Sequence, residues 1–148
     1  SIYVAGATLN PLPDDASLQQ ALHAIARHLD PHGAALATFG IPAAATADVT
    51  FVKKTTRPDG TVMRFSVLRR HRDEVARNDV SHVRYELVRG GTTTAIERMW
   101  HIHWASVDAV TAMVDAAGLE VRRAVSTDGG PLRADTEEFT LVLGRRAS

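Results

Sequence analysis

The chain has 148 residues, 45% hydrophobic and 23% charged, which is the composition of one ordinary globular domain able to bury a sizeable core and not of a disordered segment. Lysines plus arginines number 17 and acidic residues number 17, so no net field favours nucleic acid or an anionic membrane, and neither is expected as a partner. Without cysteine there are no disulfides or thiolate metal sites, no apolar run approaches the ~20 residues of a membrane helix, and the start lacks a signal-peptide layout; a cytoplasmic protein is expected.

Ile2-Tyr3-Val4-Ala5 is a short β-prone run, left through a loop, residues 6–13, punctuated by Gly6, Pro11 and Pro13. Loops at the carboxyl ends of strands are where open α/β sheets bind ligands. Asp14, Asp15 and Ser17 can each cap a helix, and Ser17 with Gln20 has capping-box spacing. Leu18, Leu22, Ile25, Ala26 and Leu29 then recur at helical spacing, Leu29-Asp30-Pro31-His32-Gly33 breaks the helix, and residues 34–39 run apolar. Strand, loop, helix, turn and strand make one βαβ unit with a right-handed crossover. His23 and His28 read as surface residues beside that helix.

Residues 40–47 read as a connection, after which the texture turns to β. Residues 49–55 are rich in β-branched side chains, Arg57-Pro58-Asp59-Gly60 is turn chemistry, and residues 61–70 alternate, with Met63, Phe65 and Val67 opposite Arg64 and Ser66. The charge run of residues 69–74 reads as a solvated strand end and turn, with anion binding as the alternative. Val83, Tyr85 and Leu87 alternate with Arg84 and Glu86, and Gly90-Gly91 turns the chain into residues 92–104, completing a four-stranded antiparallel meander. Ser106 caps a second helix whose Val107, Val110, Met113, Val114 and Ala117 share a face, and Gly118 stops it. Residues 119–125 and 138–143 are strands around a loop carrying Asp128-Gly129-Gly130-Pro131. The expected organisation is residues 1–47 and 106–148 as one core, with residues 48–105 inserted.

Three local signals compete for function. Residues 2–8 look like the first strand of a short-chain-dehydrogenase-like nucleotide-binding domain, but Leu9, Asn10, Pro11 and Leu12 stand where glycines must let a pyrophosphate approach the backbone. Glu97, His101 and His103 fall on one face of a strand, since their separations are even, which allows a metal-dependent enzyme built on a His-x-His strand or a metal-free polar cleft. Trp100, Ile102 and Trp104 take the other face. Asn10-Pro11-Leu12-Pro13 is superficially similar to the Asn/Asp-Pro-Pro-aromatic loop of methyltransferases acting on amino groups, but it lacks the aromatic that would stack a planar substrate.

The order of parts resembles the C-terminal half of a class I S-adenosylmethionine-dependent methyltransferase of the small-molecule branch. The resemblance rests on residues 2–9 with Leu12-Pro13-Asp14-Asp15, similar to the family's fourth strand and its loop. It rests also on residues 21–34, similar to a helix ending in Leu-x-Pro-Gly-Gly with His32 in place of a glycine, and on Ala116-Ala117-Gly118-Leu119-Glu120-Val121 at the joint before the sixth strand. It implies an α/β fold, the C-terminal part of a Rossmann-like methyltransferase sheet (strands four to seven of an order 3-2-1-4-5-7-6) carrying an inserted antiparallel meander as lid, substrate or dimer region. It implies methyl transfer from S-adenosylmethionine to an O, N or C nucleophile of a small molecule. Ala5, Gly6 and Leu9 would face the cofactor, Thr8, Tyr85, Arg98 and Trp100 the acceptor, and His101 or His103 would serve as base. The glycine-rich cofactor loop would lie before Ser1, so the expected partner is an N-terminal half or a second copy, and activity is expected with that half present. The competing expectation is a non-catalytic small-ligand-binding α+β module whose curved sheet, residues 49–104, walls an apolar pocket; there residues 2–39 would form a helical lid instead of parallel strands flanking a helix.

Overall fold

The computed structural model describes residues 1–43, 52–133 and 136–146. Ten elements follow in order: β1 (Ile2–Val4), α1 (Asp15–His28), β2 (Ala35–Gly40), β3 (Val52–Thr56), β4 (Val62–Asp73), β5 (Asn78–Arg89), β6 (Thr92–His103), α2 (Val107–Ala116), β7 (Leu119–Ser126) and β8 (Glu138–Arg145). They form two compact units, one of Ser1–Ala43 with Ile102–Ser148, the other of Ala44–His101. The strand expected at residues 49–51 lies outside the described residues.

The first unit is a four-stranded sheet in the order β1-β2-β8-β7. β1 and β2 run parallel on either side of α1 in the chain, while β8 runs antiparallel to both β2 and β7. That is the order implied for strands four, five, seven and six, and parallel strands flanking a helix are what the ligand-binding-module expectation lacked. β1 stands at one edge, with Tyr3 exposed and no strand beyond it among the described residues.

Alternation in the strands decides where the core lies. Ala35, Ala37 and Phe39 of β2 and Phe139, Leu141 and Leu143 of β8 are buried on one parity, and register places Phe39 opposite Phe139, their rings stacked at 5.4 Å. Leu18, Leu22 and Ile25 of α1 and Val110 and Val114 of α2 join the same cluster, so both helices cover one face. Each fully buried Leu or Phe contributes about 2 kcal/mol. The Gln19 side chain donates to the Met113 carbonyl at 2.9 Å and ties the helices together.

Both helix starts follow their capping signals, with one difference. Asp14 caps α1, its carboxylate accepting from the Ser17 N–H at 2.8 Å, so Ser17 is consumed inside the first turn and the Ser17–Gln20 box is not the cap. Pro13 just upstream has no N–H to give, which makes Asp14 the natural first acceptor. Ser106 caps α2 and Gly118, at φ +75°, ends it.

The second unit is the expected four-stranded meander, β3-β4-β5-β6. Gly90 and Gly91, at φ +54° and +79°, make the two-residue turn whose twist suits a hairpin. Register sets Phe65 opposite Tyr85 and Met63 opposite Leu87 on one face, Arg64 opposite Glu86 on the other. β4 ends at Asp73 and Glu74 begins the turn, so the charge run is the strand end and turn that were expected. Within it a register shift between Val67 and Arg69 lets Arg70 reach across to Asp79, which is 1% exposed. Arg70 Nε donates to Asp79 Oδ1 and Oδ2 at 2.9 and 2.7 Å, Arg70 Nη2 also bonds Oδ2, and hydrogen bonding to Asp79 pushes the guanidinium pKa up.

A buried carboxylate stripped of its cation is expensive. Arg70→Ala is expected to destabilise the chain by about 3 kcal/mol, read as a shift of the urea midpoint, whereas Arg69→Ala, on an exposed side chain, shifts it little. The Asp14 carboxyl is held below the usual carboxylate range, first by the Ser17 N–H, then by the Ser17 side chain. Its lowered folded-state pKa means that the cap stabilises above the unfolded value and fades as pH falls through the folded one. Wild type therefore melts above Asp14→Ala near neutral pH, and the gap narrows as the pH falls below the ordinary Asp value of about 3.9, as a series of thermal melts against pH measures.

Candidate functional site

β1 and β2 are parallel, so Val4 and Gly40 end at the same edge of the first unit, the carboxyl edge at which such sheets bind ligands. The loop from Ala5 to Pro13 lies there. Gly6 takes φ +54° with open space where a Cβ would stand, and successive bonds wind the loop: Thr8 N–H to the Gly6 carbonyl at 2.8 Å, Asn10 N–H to Ala7 at 3.0 Å, Leu12 N–H to Leu9 at 3.2 Å. The Thr8 hydroxyl bonds the Ala5 carbonyl. Ala5, Gly6 and Thr8 are exposed and Leu9 is half-buried, so the residues expected to face cofactor and acceptor from this loop sit together along it.

Asn10 turns inward and is 7% exposed. Its Nδ2 donates to the Gly40 carbonyl at 2.6 Å and to the His103 carbonyl at 2.8 Å, and its Oδ1 accepts from the Gly40 N–H at 3.2 Å. Its own carbonyl accepts from the His103 N–H at 2.7 Å. In the sequence Asn10 stands out only as part of a proline loop. The signal that could have found it is an amide residue facing inward at a strand's carboxyl edge, where free strand-end groups need partners.

His101 and His103 part company. His103 is 6% exposed and its Nε2 lies 2.8 Å from Oδ1 of Asp15, in the first turn of α1. A proton on the His103 ring would also lower the pKa of nearby Asp14, after the Ser17 bonds. His101 is exposed and belongs to the second unit. Of the metal triad that the spacing allows as an alternative, Glu97 is engaged with His82 at 2.8 Å and His103 with Asp15, and among the described residues no group of three or more His, Asp or Glu is arranged to hold a metal.

In the second unit Phe65, Tyr85 and Trp100 form a ring cluster with centroids 5.2 to 6.4 Å apart. Trp100 is 44% exposed, so these rings present an aromatic face. Met63, Phe65, Tyr85, Leu87 and Ile96 line a shallow groove of about 420 Å³ on this unit. Arg98 is exposed and turns its Nη1 to the Glu97 carbonyl at 2.8 Å.

No protein-family model matches the sequence, and no curated protein matches it significantly. Solved structures do. An S-adenosylmethionine-dependent methyltransferase from Clostridium acetobutylicum aligns with a TM-score of 0.75 at 9% identity, over 95% of this chain and 56% of its own. The sugar N-methyltransferase KedS8 from Streptoalloteichus gives 0.72 at 19% identity, over 98% and 55%. CalS10, an amino pentose methyltransferase from Micromonospora echinaspora solved with S-adenosylmethionine bound, gives 0.70 at 15% identity, over 95% and 56%.

The chain thus has the fold of the C-terminal part of a small-molecule S-adenosylmethionine-dependent methyltransferase. It spans a little over half the length of the structures it matches.

The Asp15–His103 bond holds a buried imidazole to the start of α1. Removing the carboxylate with Asp15→Ala takes that partner from the buried ring, at an expected cost of about 1–3 kcal/mol, measurable by urea denaturation, with His101→Ala nearly neutral as its exposed counterpart.

Proposed function

We propose that this chain is the C-terminal part of a larger or split enzyme that transfers a methyl group from S-adenosylmethionine to a nucleophilic atom of a small molecule. The single observation that carries the reading is the sheet order β1-β2-β8-β7 with its loop, residues 5–13, at the carboxyl edge of the parallel pair. That loop fits one side of a cofactor site, since Gly6 leaves its Cβ direction open and Ala5 and Thr8 are small and exposed. The remaining side is the part of the fold that this chain does not span.

When bound, the cofactor supplies an electrophilic methyl group on a sulfonium. Ala5, Gly6 and Leu9 would line its side of the loop, and Thr8, Tyr85, Arg98 and Trp100 would contact the acceptor. Orientation by these residues supplies much of the acceleration. An imidazole then has one task, to take the acceptor's proton near neutral pH. His101, exposed in the second unit, and His103, its ring 2.8 Å from Asp15, are the two candidates for it. Two of the matched structures are a sugar N-methyltransferase and an amino pentose methyltransferase, so an amino sugar is the acceptor class to try first. The exposed edge of β1 is where the complementary half, or a second copy, would pair.

The test is calorimetric titration with S-adenosylhomocysteine, first on the chain alone and then after adding a recombinant N-terminal half from a related enzyme. The expected result is no heat alone and micromolar affinity after complementation, roughly −8 kcal/mol. Silence in both, with the chain folded, would overturn the reading.

A further inference from the structure

We infer that Asn10 is a positioning residue for this site: one buried carboxamide holds the loop after β1 in register with the backbone that carries His103. The role assigned to the site rests on the proposed methyl transfer, whereas the clamp itself stands on geometry. Every polar group of Asn10 is engaged. Both Nδ2 hydrogens are used, on the Gly40 and His103 carbonyls, Oδ1 takes the Gly40 N–H, the backbone carbonyl takes the His103 N–H, and the backbone N–H reaches the Ala7 carbonyl at 3.0 Å.

The residue thereby acts as a one-residue strand inserted between the end of β2 and the end of β6. Both backbone groups of Gly40 pair with its side chain, whereas the His103 carbonyl pairs with the side chain and the His103 N–H with the backbone carbonyl of Asn10. These are the two places near which the chain leaves the first unit, after Ala43, and returns to it, at Ile102. Asn10 does not touch the His103 ring, which Asp15 holds; it fixes the peptide on which that ring is mounted. An asparagine supplies what neither neighbour in chemistry can. Aspartate keeps the acceptor but turns two donations into contacts between a carboxylate and carbonyl oxygens, and alanine removes all three side-chain bonds.

The experiment is nuclear magnetic resonance on the ¹⁵N-labelled full chain, as wild type, Asn10→Ala, Asn10→Asp and Asp15→Asn. It reads amide exchange at Gly40, His103, Leu141 and Leu143 together with the ring-nitrogen signals of His103. The expected result is exchange at least tenfold faster at Gly40 and His103 in Asn10→Ala and Asn10→Asp, with Leu141 and Leu143 unchanged. The His103 ring signals should move in both variants in the same sense as in Asp15→Asn. Ring signals that stay at their wild-type positions in both Asn10 variants would overturn the proposal. So would exchange that quickens equally at Leu141 and Leu143 in both, because Asn10 would then be only a core residue. None of these readouts uses a cofactor, so the failure of this inference and the failure of the methyl-transfer reading are separately visible.

Discussion

The pairing of β2 with β8 is the constraint on which the first unit depends. It sets Phe39 against Phe139 and puts Ala35, Ala37, Leu141 and Leu143 on the same face, where α1 and α2 lay their apolar stripes. A slip of one residue would send that whole set to the other face. With β8 fixed, β2 is fixed, and β1 follows by parallel pairing, so the loop after β1 arrives at the carboxyl edge without needing a motif of its own. The other face carries Thr38 and Thr140, whose hydroxyls bond to each other at 3.0 Å, a polar choice that the core face could not tolerate.

At that edge the structure solves a problem common to interrupted sheets. Where strands end, backbone groups lose their ladder partners and must find others. Here a side chain from the loop supplies them, and the same loop keeps Ala5, Gly6 and Thr8 exposed. The division within the loop is physical: Asn10 turns inward and Leu9 and Leu12 pack against the core, while small residues leave its near half open. A buried, fully bonded amide is rigid in a way that an apolar residue of similar size is not, because each displaced bond leaves an unpaired polar group.

The second unit is organised by a different device. Its β4–β5 hairpin is long, and the register shift after Val67 would leave the distal half weakly specified if nothing pinned it. The Arg70–Asp79 pair, with Ser81 Oγ 3.4 Å from Asp79, supplies that pin at the cost of burying a carboxylate. On the other half of the hairpin the ring cluster of Phe65, Tyr85 and Trp100 serves instead, through contact between aromatic faces.

Most of the architecture was legible in the sequence because it is written in local patterns. Helical spacing in residues 18–29 and 107–117, alternation in β4 and β5, the proline and glycine turns, and the Asp and Ser caps are properties of neighbours along the chain, and they determined the elements, their order and the α/β class. What only tertiary structure decided is which residues separated in sequence are brought to one place. His101 and His103 share a strand face by spacing, yet one is exposed and the other is buried against Asp15, 88 positions away. Asn10 looked like part of a proline turn until Gly40 and His103 closed around it. Even spacing states direction relative to a strand, but burial and partnership depend on what the rest of the fold lays against that strand, and a pattern of neighbours does not carry that information.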